Sequence, residues 1–232
     1  WVGTDGGGLN IMREDGTFIP FDPSSDGSEP LKNDIIRVLY QDSKNRLLVG
    51  TEGRGLTVID YGMEGAELYT NNPDDPHSIQ SDTIRSIFED SRGHIWLGLE
   101  NRGICEFLPE RNIFRPLPLP GDNPGRKLSV RAITEDNDGR LWIGTDNDGI
   151  YIFSPDTGTW DIVKNSSRPD SLSSDTIRSF FTDSNGHIWA GTRDGGVNLY
   201  NPLSSSFKYI DAGGGEASAR KQIRETTRFN RS

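Results

Sequence analysis

One cysteine, Cys105, is all the chain has; no internal disulfide framework and no multi-cysteine zinc site can be built from it. Basic residues fall short of acidic ones, 25 Lys and Arg against 35 Asp and Glu, which leaves a net charge of −10. That deficit disfavours nucleic acid as a partner, because affinity there rests on cations that release counterions from phosphates. It equally disfavours docking on an anionic membrane surface. Long apolar runs are missing too: Gly149-Ile150-Tyr151-Ile152-Phe153 is typical of those present. None is long enough to cross a bilayer as a helix, so membrane attachment is expected only through segments absent from this sequence. No basic-then-apolar leader is read at the start. Hydrophobic residues make up 32% of the 232, cut short by 27 Gly and 13 Pro. Such punctuation suits many short strands and argues against helices.

What is present is a repeat. Gly93-His94-Ile95-Trp96-Leu97-Gly98 returns as Gly139-Arg140-Leu141-Trp142-Ile143-Gly144 and as Gly186-His187-Ile188-Trp189-Ala190-Gly191. Asn45-Arg46-Leu47-Leu48-Val49-Gly50 is a weaker copy and Trp1-Val2-Gly3-Thr4 a truncated one. The anchors fall at 1, 48, 96, 142 and 189, with spacings of 47, 48, 46 and 47. Each unit reads as four strands. The first runs over Asp82–Asp90, with copies from Asp34, Ser129 and Asp175, and the second carries the anchor. The third follows Gly8, Gly55, Gly103, Gly149 or Gly196; the fourth carries Phe18, Leu68, Phe114, Trp160 or Phe207.

Two turn positions per unit admit only Gly, Asn or Asp: Asn45, Gly93, Gly139, Gly186, and Gly6, Gly53, Asn101, Asn147, Asp194. These residues enter the left-handed region most cheaply, which predicts two tight hairpins per unit. Longer polar connections such as 71–78 and 165–171 suit a surface crossover between units. Repeated four-stranded antiparallel units of this length predict an all-β protein, a β-propeller of about five blades, with neighbouring blades burying each other's Trp, Ile and Phe. The propeller is expected over residues 1–212, as a closed five-blade ring or a fragment of a larger one. Residues 213–232 read as a Gly-rich polar tail, a linker or a closing strand in which Ile223-Arg224 continues the Ile-Arg register. The chain begins inside its own motif with no initiator Met, which reads as a piece of a longer polypeptide.

The runs 72–98 and 171–192, with Gly3-Thr4-Asp5-Gly6-Gly7-Gly8-Leu9, follow an Asp-x-x-Gly-x-[Leu/Ile]-Trp-x-Gly-Thr core, complete in 183–192, with Leu99 in place of Thr after 90–98 and only its Gly-Thr end at 3–4. That core resembles the repeat of the two-component regulator propeller family, over roughly residues 1–210. The resemblance implies a periplasmic or extracytoplasmic ligand sensor of a hybrid two-component histidine kinase, in bacteria that forage on glycans. The chain departs from that pattern in having five units and no kinase, helical or transmembrane segment. The family pattern consists of fold residues and so carries over no ligand contacts.

Chemistry-bearing residues are few. His94 and His187 precede the second-strand Ile-Trp and His77 lies in a crossover; solvated strand-end histidines are expected, and no metal site. Asp136-Asn137-Asp138-Gly139 and Asp146-Asn147-Asp148-Gly149 lack the ligand ladder of a calcium loop and read as turns. Glu89-Asp90 and Glu135-Asp136 point to opposite faces of a strand and cannot serve one substrate. Cys105 reads as a buried inert thiol, and Trp160 as a blade-edge core residue. No catalytic residue, metal or cofactor is assigned. Arg37, Arg85, Arg131 and Arg178 start the first strands and are the candidate ligand-binding residues, at one mouth of a central channel. Forked guanidinium bonds there would favour a small-molecule or oligosaccharide ligand that is anionic or polyhydroxylated. The competing expectation is that each Arg pairs with an Asp or carbonyl of the adjacent blade. A protein-interaction scaffold, with a homodimer through the propeller, is the alternative function, and a propeller lyase the third.

Overall fold

A computed structural model of the chain describes residues 1–21, 31, 34–60, 66–121 and 127–210. In chain order, β1 (Val2–Gly3), β2 (Leu9–Met12) and β3 (Phe18–Pro20) form one sheet. The second sheet is β4 (Ile36–Gln41), β5 (Arg46–Thr51), β6 (Leu56–Asp60) and β7 (Ala66–Tyr69). The third is β8 (Ile84–Glu89), β9 (Ile95–Leu99), β10 (Gly103–Leu108) and β11 (Ile113–Leu117), with a 3-10 turn at Pro109–Arg111. The fourth is β12 (Val130–Glu135), β13 (Leu141–Thr145), β14 (Ile150–Ser154) and β15 (Thr159–Val163). The fifth is β16 (Ile177–Thr182), β17 (Ile188–Thr192), β18 (Val197–Asn201) and β19 (Ser206–Ile210). Strand order follows sequence order in every sheet, as in propeller blades. By contact the chain divides into two units, Trp1–Glu135 and Asp136 onward.

Among the described residues the first sheet has three strands. The tail around Ile223-Arg224, expected as a linker or as the closing strand of this sheet, lies outside the described residues.

Within the first unit the Trp-x-Gly motif has a steric cause. A Cβ on Gly98 would lie 2.2 Å from Ser86 Oγ and 2.7 Å from the carbonyl oxygen of Val130, the first residue of β12. On Gly50 it would lie 2.5 Å from Val38 Cγ1 and 2.9 Å from Ile84 Cγ2. The glycine lets the next blade's first strand lie against the second strand at backbone distance. Gly144 does the same in the second unit, where a Cβ would meet Ile177 at 2.5 Å. Four of the third-strand glycines donate their N–H to the carbonyl just before the next first strand: Gly8 to Asp34, Gly55 to Asp82, Gly103 to Leu128, and Gly149 to Asp175. The core of the first unit accordingly runs across blades, from Leu48, Leu56 and Val58 to Ile84, Leu97, Cys105, Phe107 and Phe114. The crossovers push Leu31, Ile79 and Leu172 into the core as plugs.

Both turn predictions hold with one exception. Asn45, Gly93, Gly139 and Gly186 have positive φ, as do Gly6, Gly53, Asn101 and Asn147. Asp194 does not; in that hairpin Gly196 alone enters the left-handed region. The anchors divide. Trp96 and Trp142 are buried, Trp189 is half-buried, and Trp1 is 38% exposed, stacked edge-on against Phe21 at 4.9 Å. The expectation that neighbouring blades bury every indole therefore fails at Trp1, in the sheet with three strands among the described residues. Phe114 and Phe207 are buried fourth-strand residues, but Phe18 is 55% exposed and Leu68 48% exposed. In the second sheet Tyr69 takes the packing role instead, against Phe107 at 5.2 Å and Phe114 at 5.5 Å. Phe181, on the first strand β16, is 66% exposed; nothing among the described residues covers it.

Candidate functional site

Every four-stranded sheet has two ends, and they carry different chemistry. In the third sheet Glu89 pairs with Ile95 at one end, beside the turn 90–94, and Ile84 pairs with Leu99 at the other, beside the hairpin 99–103.

At the turn end the repeated aspartate is a structural hub. Asp90 Oδ1 accepts the backbone N–H of Arg92 at 3.0 Å and of His94 at 2.9 Å. Its Oδ2 accepts Trp96 Nε1–H at 2.9 Å and sits 3.0 Å from His94 Nδ1. Asp136 and Asp183 repeat the scheme, holding Trp142 Nε1 at 2.9 Å and Trp189 Nε1 at 3.2 Å. Asp42, whose blade has Leu48 at the anchor, spends Oδ2 on Arg46 Nε at 2.7 Å. Burial alone would raise the carboxyls of Asp90 and Asp183, but the hydrogen bonds each accepts outweigh it and both lie below the usual range. His94 and His187 thus brace the turn; the His94 side chain stays 44% exposed, as expected of a strand end, whereas His187, 3.0 Å from Asp183 Oδ2, is largely buried. The adjacent glutamate faces the neighbouring blade: Glu89 accepts the backbone N–H and hydroxyl of Ser43, and Glu135 those of Ser91. The Glu-Asp pairs diverge, as the pleat requires.

At the hairpin end sit the arginines. Register slips between Ile36 and Val38, between Ile84 and Ser86, and between Ile177 and Ser179 make Arg37, Arg85 and Arg178 the extra residues of β-bulges. A bulge turns a side chain out of the ladder. In the first unit Arg37 bonds Glu52 of its own blade. Arg85 donates Nε–H to Glu100 Oε2 at 2.6 Å and lies 3.5 Å from Glu52 Oε2 of the preceding blade. The result is an alternating row Arg37, Glu52, Arg85, Glu100. Arg131 acts on Glu52 from farther off; the Arg37 hydrogen bond, helped by the charges of Arg85 and Arg131, keeps the Glu52 carboxyl below its usual range. In the second unit Arg178 is 3.8 Å from Asp146. Arg37, Arg85 and Arg178 are therefore paired with acids, and half of those pairs stay within one blade. The acids share a position four residues past the anchor, which sequence reading did not connect to the arginines.

Beside this row, in the first unit, lies a polar groove of about 330 Å³ lined by Asn71, Asn72, Asp75, Ser78, Gln80 and Arg102, with Pro73 and Pro76. Its floor is set by the crossover 71–82, which is pinned by Asn71 N–H to Asp82 Oδ1 at 2.6 Å and Asn71 Nδ2 to the Ile79 carbonyl at 2.7 Å. Sequence reading noted that the hairpin 99–102 departs from its counterparts but assigned it nothing. Gln80 was not singled out at all.

The remaining candidates are engaged by the fold. Asn147 Oδ1 accepts Thr176 Oγ1–H at 2.8 Å, and Asp148 bonds Tyr151 and Lys164, which leaves that loop a turn. Among the described residues no three His, Cys, Asp or Glu side chains gather as metal ligands. His77 lies in the crossover, where its carbonyl accepts the Phe114 N–H, whereas the His94 ring is held by Asp90. Cys105 is fully buried, and burial, with Glu106 adding, pushes its thiol far above the usual range. Trp160 packs on Phe153 at 4.7 Å. Glu106, buried in β10 and bonded by Arg115 Nε at 2.9 Å, is a cross-strand ion pair that periodicity alone does not reveal.

Residues 78–101, 125–147 and 171–194 match the two component regulator propeller repeat. The fold is similar to the extracellular domain of the putative hybrid two component system BT3049 from B. thetaiotaomicron, at a TM-score of 0.71 and 22% identity over 90% of this chain and 28% of that one. It is similar to the extracellular domain of BT4673 from the same organism, at a TM-score of 0.69 and 24% identity over 86% of this chain and 25% of that one. A virginiamycin B lyase from Staphylococcus aureus shares the fold at a TM-score of 0.64 and 16% identity, over 92% of this chain and 66% of the lyase. No curated protein matches the chain. The chain spans about a quarter of the two extracellular domains it resembles.

Proposed function

We propose that this chain, which carries two-component regulator propeller repeats, is a non-catalytic ligand-sensing part of an extracytoplasmic, periplasmic input region, with a carbohydrate as ligand. One observation supports binding over catalysis. The turn end of the blades is consumed by fold-holding bonds, whereas the hairpin end of the first unit presents partly exposed guanidinium and carboxylate groups, from Arg37 to Glu100, beside a polar groove. Guanidinium forks and carboxylate acceptors are the groups that hold vicinal hydroxyls. Arg131 and, in the second unit, Arg178 belong to the same set of candidate ligand residues. The output of such a sensor, a kinase, would lie in other segments.

The test is isothermal titration calorimetry of the 232-residue chain against neutral and acidic oligosaccharides. Saturable heat with at least one sugar is expected; no heat with any of them overturns the carbohydrate reading. The second reading, a docking scaffold or homodimer, is favoured by the exposed apolar Phe181, Val197 and Tyr209 of the fifth sheet. Concentration-dependent dimerisation in sedimentation runs, without sugar binding, would establish it.

A further inference from the structure

Where one blade meets the next, the same contacts recur. A glycine of the second strand receives the first residue of the following first strand. A Cβ on Gly3 would lie 2.5 Å from Ile36 Cγ2, and on Gly50 2.9 Å from Ile84 Cγ2. On Gly98 it would lie 2.8 Å from Val130 Cγ1, and on Gly144 2.5 Å from Ile177 Cγ2. The third-strand glycine donates its N–H to the carbonyl two residues before that Ile or Val. The residue after this glycine is covered: Leu9, Leu56, Ile104 and Ile150 are each at most 1% exposed.

In the fifth sheet all three places stand open. Among the described residues a Cβ on Gly191 would meet only Ser179 of its own blade, and Gly196 N–H has no acceptor. Val197 is 38% exposed. Trp189 is half-buried where Trp96 and Trp142 are buried, and Phe181 is exposed on the same sheet. An uncovered apolar surface of this kind marks an interaction site.

The occupant that fits it lies in register in the same chain. Ile36, Ile84, Val130 and Ile177 follow their glycines by 33, 34, 32 and 33 residues; Ile223 follows Gly191 by 32. Counted from the last residue of the fourth strand, Ile84, Val130 and Ile177 come 15, 13 and 14 residues on, and Ile223 comes 13 residues after Ile210. The connection thus has the reach that the crossovers use. An arginine follows each of the five residues. Thr227 falls where β12 has the buried Thr134, and Thr226, β-branched as strands favour, falls where β12 has Ile133. Charge agrees. Residues 213–232 carry five basic and two acidic side chains, against 20 and 33 in residues 1–212, so the segment is attracted to the body of the chain.

We propose that residues 221–228 dock on the open face of the fifth sheet as a first strand, with Ile223 seated on Gly191 and Gly196 N–H donating to the Lys221 carbonyl. Val197 is then covered as its four counterparts are, and Arg224 takes the hairpin-end place of Arg37, Arg85, Arg131 and Arg178.

The experiment follows exchange of the Gly196 amide by nitrogen-15 NMR in the 232-residue chain and in its Ile223→Val and Ile223→Asp variants, at two protein concentrations. Valine keeps the apolar contact, as Val130 does on Gly98; aspartate puts a charge on an apolar seat. The Trp96 and Trp142 indole resonances, remote from the fifth sheet's open face, report that the other blades stay folded. Expected is Gly196 exchange slowed at least tenfold in the parent and in Ile223→Val, and rapid in Ile223→Asp, at both concentrations alike. Rapid Gly196 exchange in the parent overturns the proposal, and so does protection that survives Ile223→Asp. Protection present only at the higher concentration overturns docking within the chain and assigns the face to a second copy.

Discussion

Replacing Asp90 by alanine removes an acceptor that four donors share: the backbone N–H groups of Arg92 and His94, the His94 ring and the Trp96 indole. The two backbone groups lie in a surface turn and can turn to water. The indole cannot, because Trp96 is only 7% exposed and packed inside the blade. Losing a buried carboxylate hub and stranding one buried donor should cost about 3–5 kcal/mol. At a urea slope of roughly 2 kcal/mol per molar, the midpoint should move down by about 2 M. Urea unfolding followed by tryptophan fluorescence reads this directly, with Asp74→Ala in the exposed crossover as the control that should stay within about 0.5 kcal/mol. Asparagine refines the test. In Asp90→Asn the new amide N–H can donate to a neutral His94 Nδ1, so only the indole bond is lost. In Asp136→Asn the amide faces Arg140, which has donors and no acceptor. Asp136→Asn should therefore be the more damaging of the two. An Asp90→Ala midpoint within about 0.5 M of the parent, or equal losses for the two asparagine variants, would refute the reasoning.

Stability should fall with acid for the same cause. The Asp90 and Asp183 carboxyls are held below their unfolded values, so their contribution is complete above about pH 4 and is lost as pH drops through the lower folded values; a urea midpoint that does not decline below pH 4 would contradict this. Gly98→Ala puts a methyl group 2.2 Å from Ser86 Oγ and should cost about 3 kcal/mol or more. Gly6→Ala, in open space at positive φ, should cost only about 1–2 kcal/mol in urea unfolding. Cys105, fully buried with its thiol pushed up, should resist maleimide for hours in the native protein and react at once in urea. Glu52→Gln, in a half-exposed ion-pair row, should shift stability by less than about 1 kcal/mol.

The blades were legible in the sequence because their determinants are local and repeat: a turn residue that must reach positive φ, an Asp six residues before the Trp it holds, and a Gly where strands touch. The fourth strand was less legible. An edge residue packs only if a neighbouring blade covers it, which is why Phe114 and Phe207 are buried and Phe18 and Leu68 are not. The arginines were found, but their acids were missed: Glu52 and Glu100 meet them across 15 residues of chain in each case, through a bulge that periodicity does not encode. The groove was out of reach for a related reason. Arg102 looks like an isolated irregularity until the fold sets it in one lining with Gln80.

Hydrogen exchange of the indole N–H groups, resolved by nitrogen-15 NMR, reads the blade scaffold residue by residue. The Trp96 and Trp142 indole protons, buried and bonded to Asp90 and Asp136, should persist for hours, and that of Trp96 should be gone within the dead time in Asp90→Ala. Rapid exchange of both in the parent protein would contradict a protein built from Asp-anchored blades.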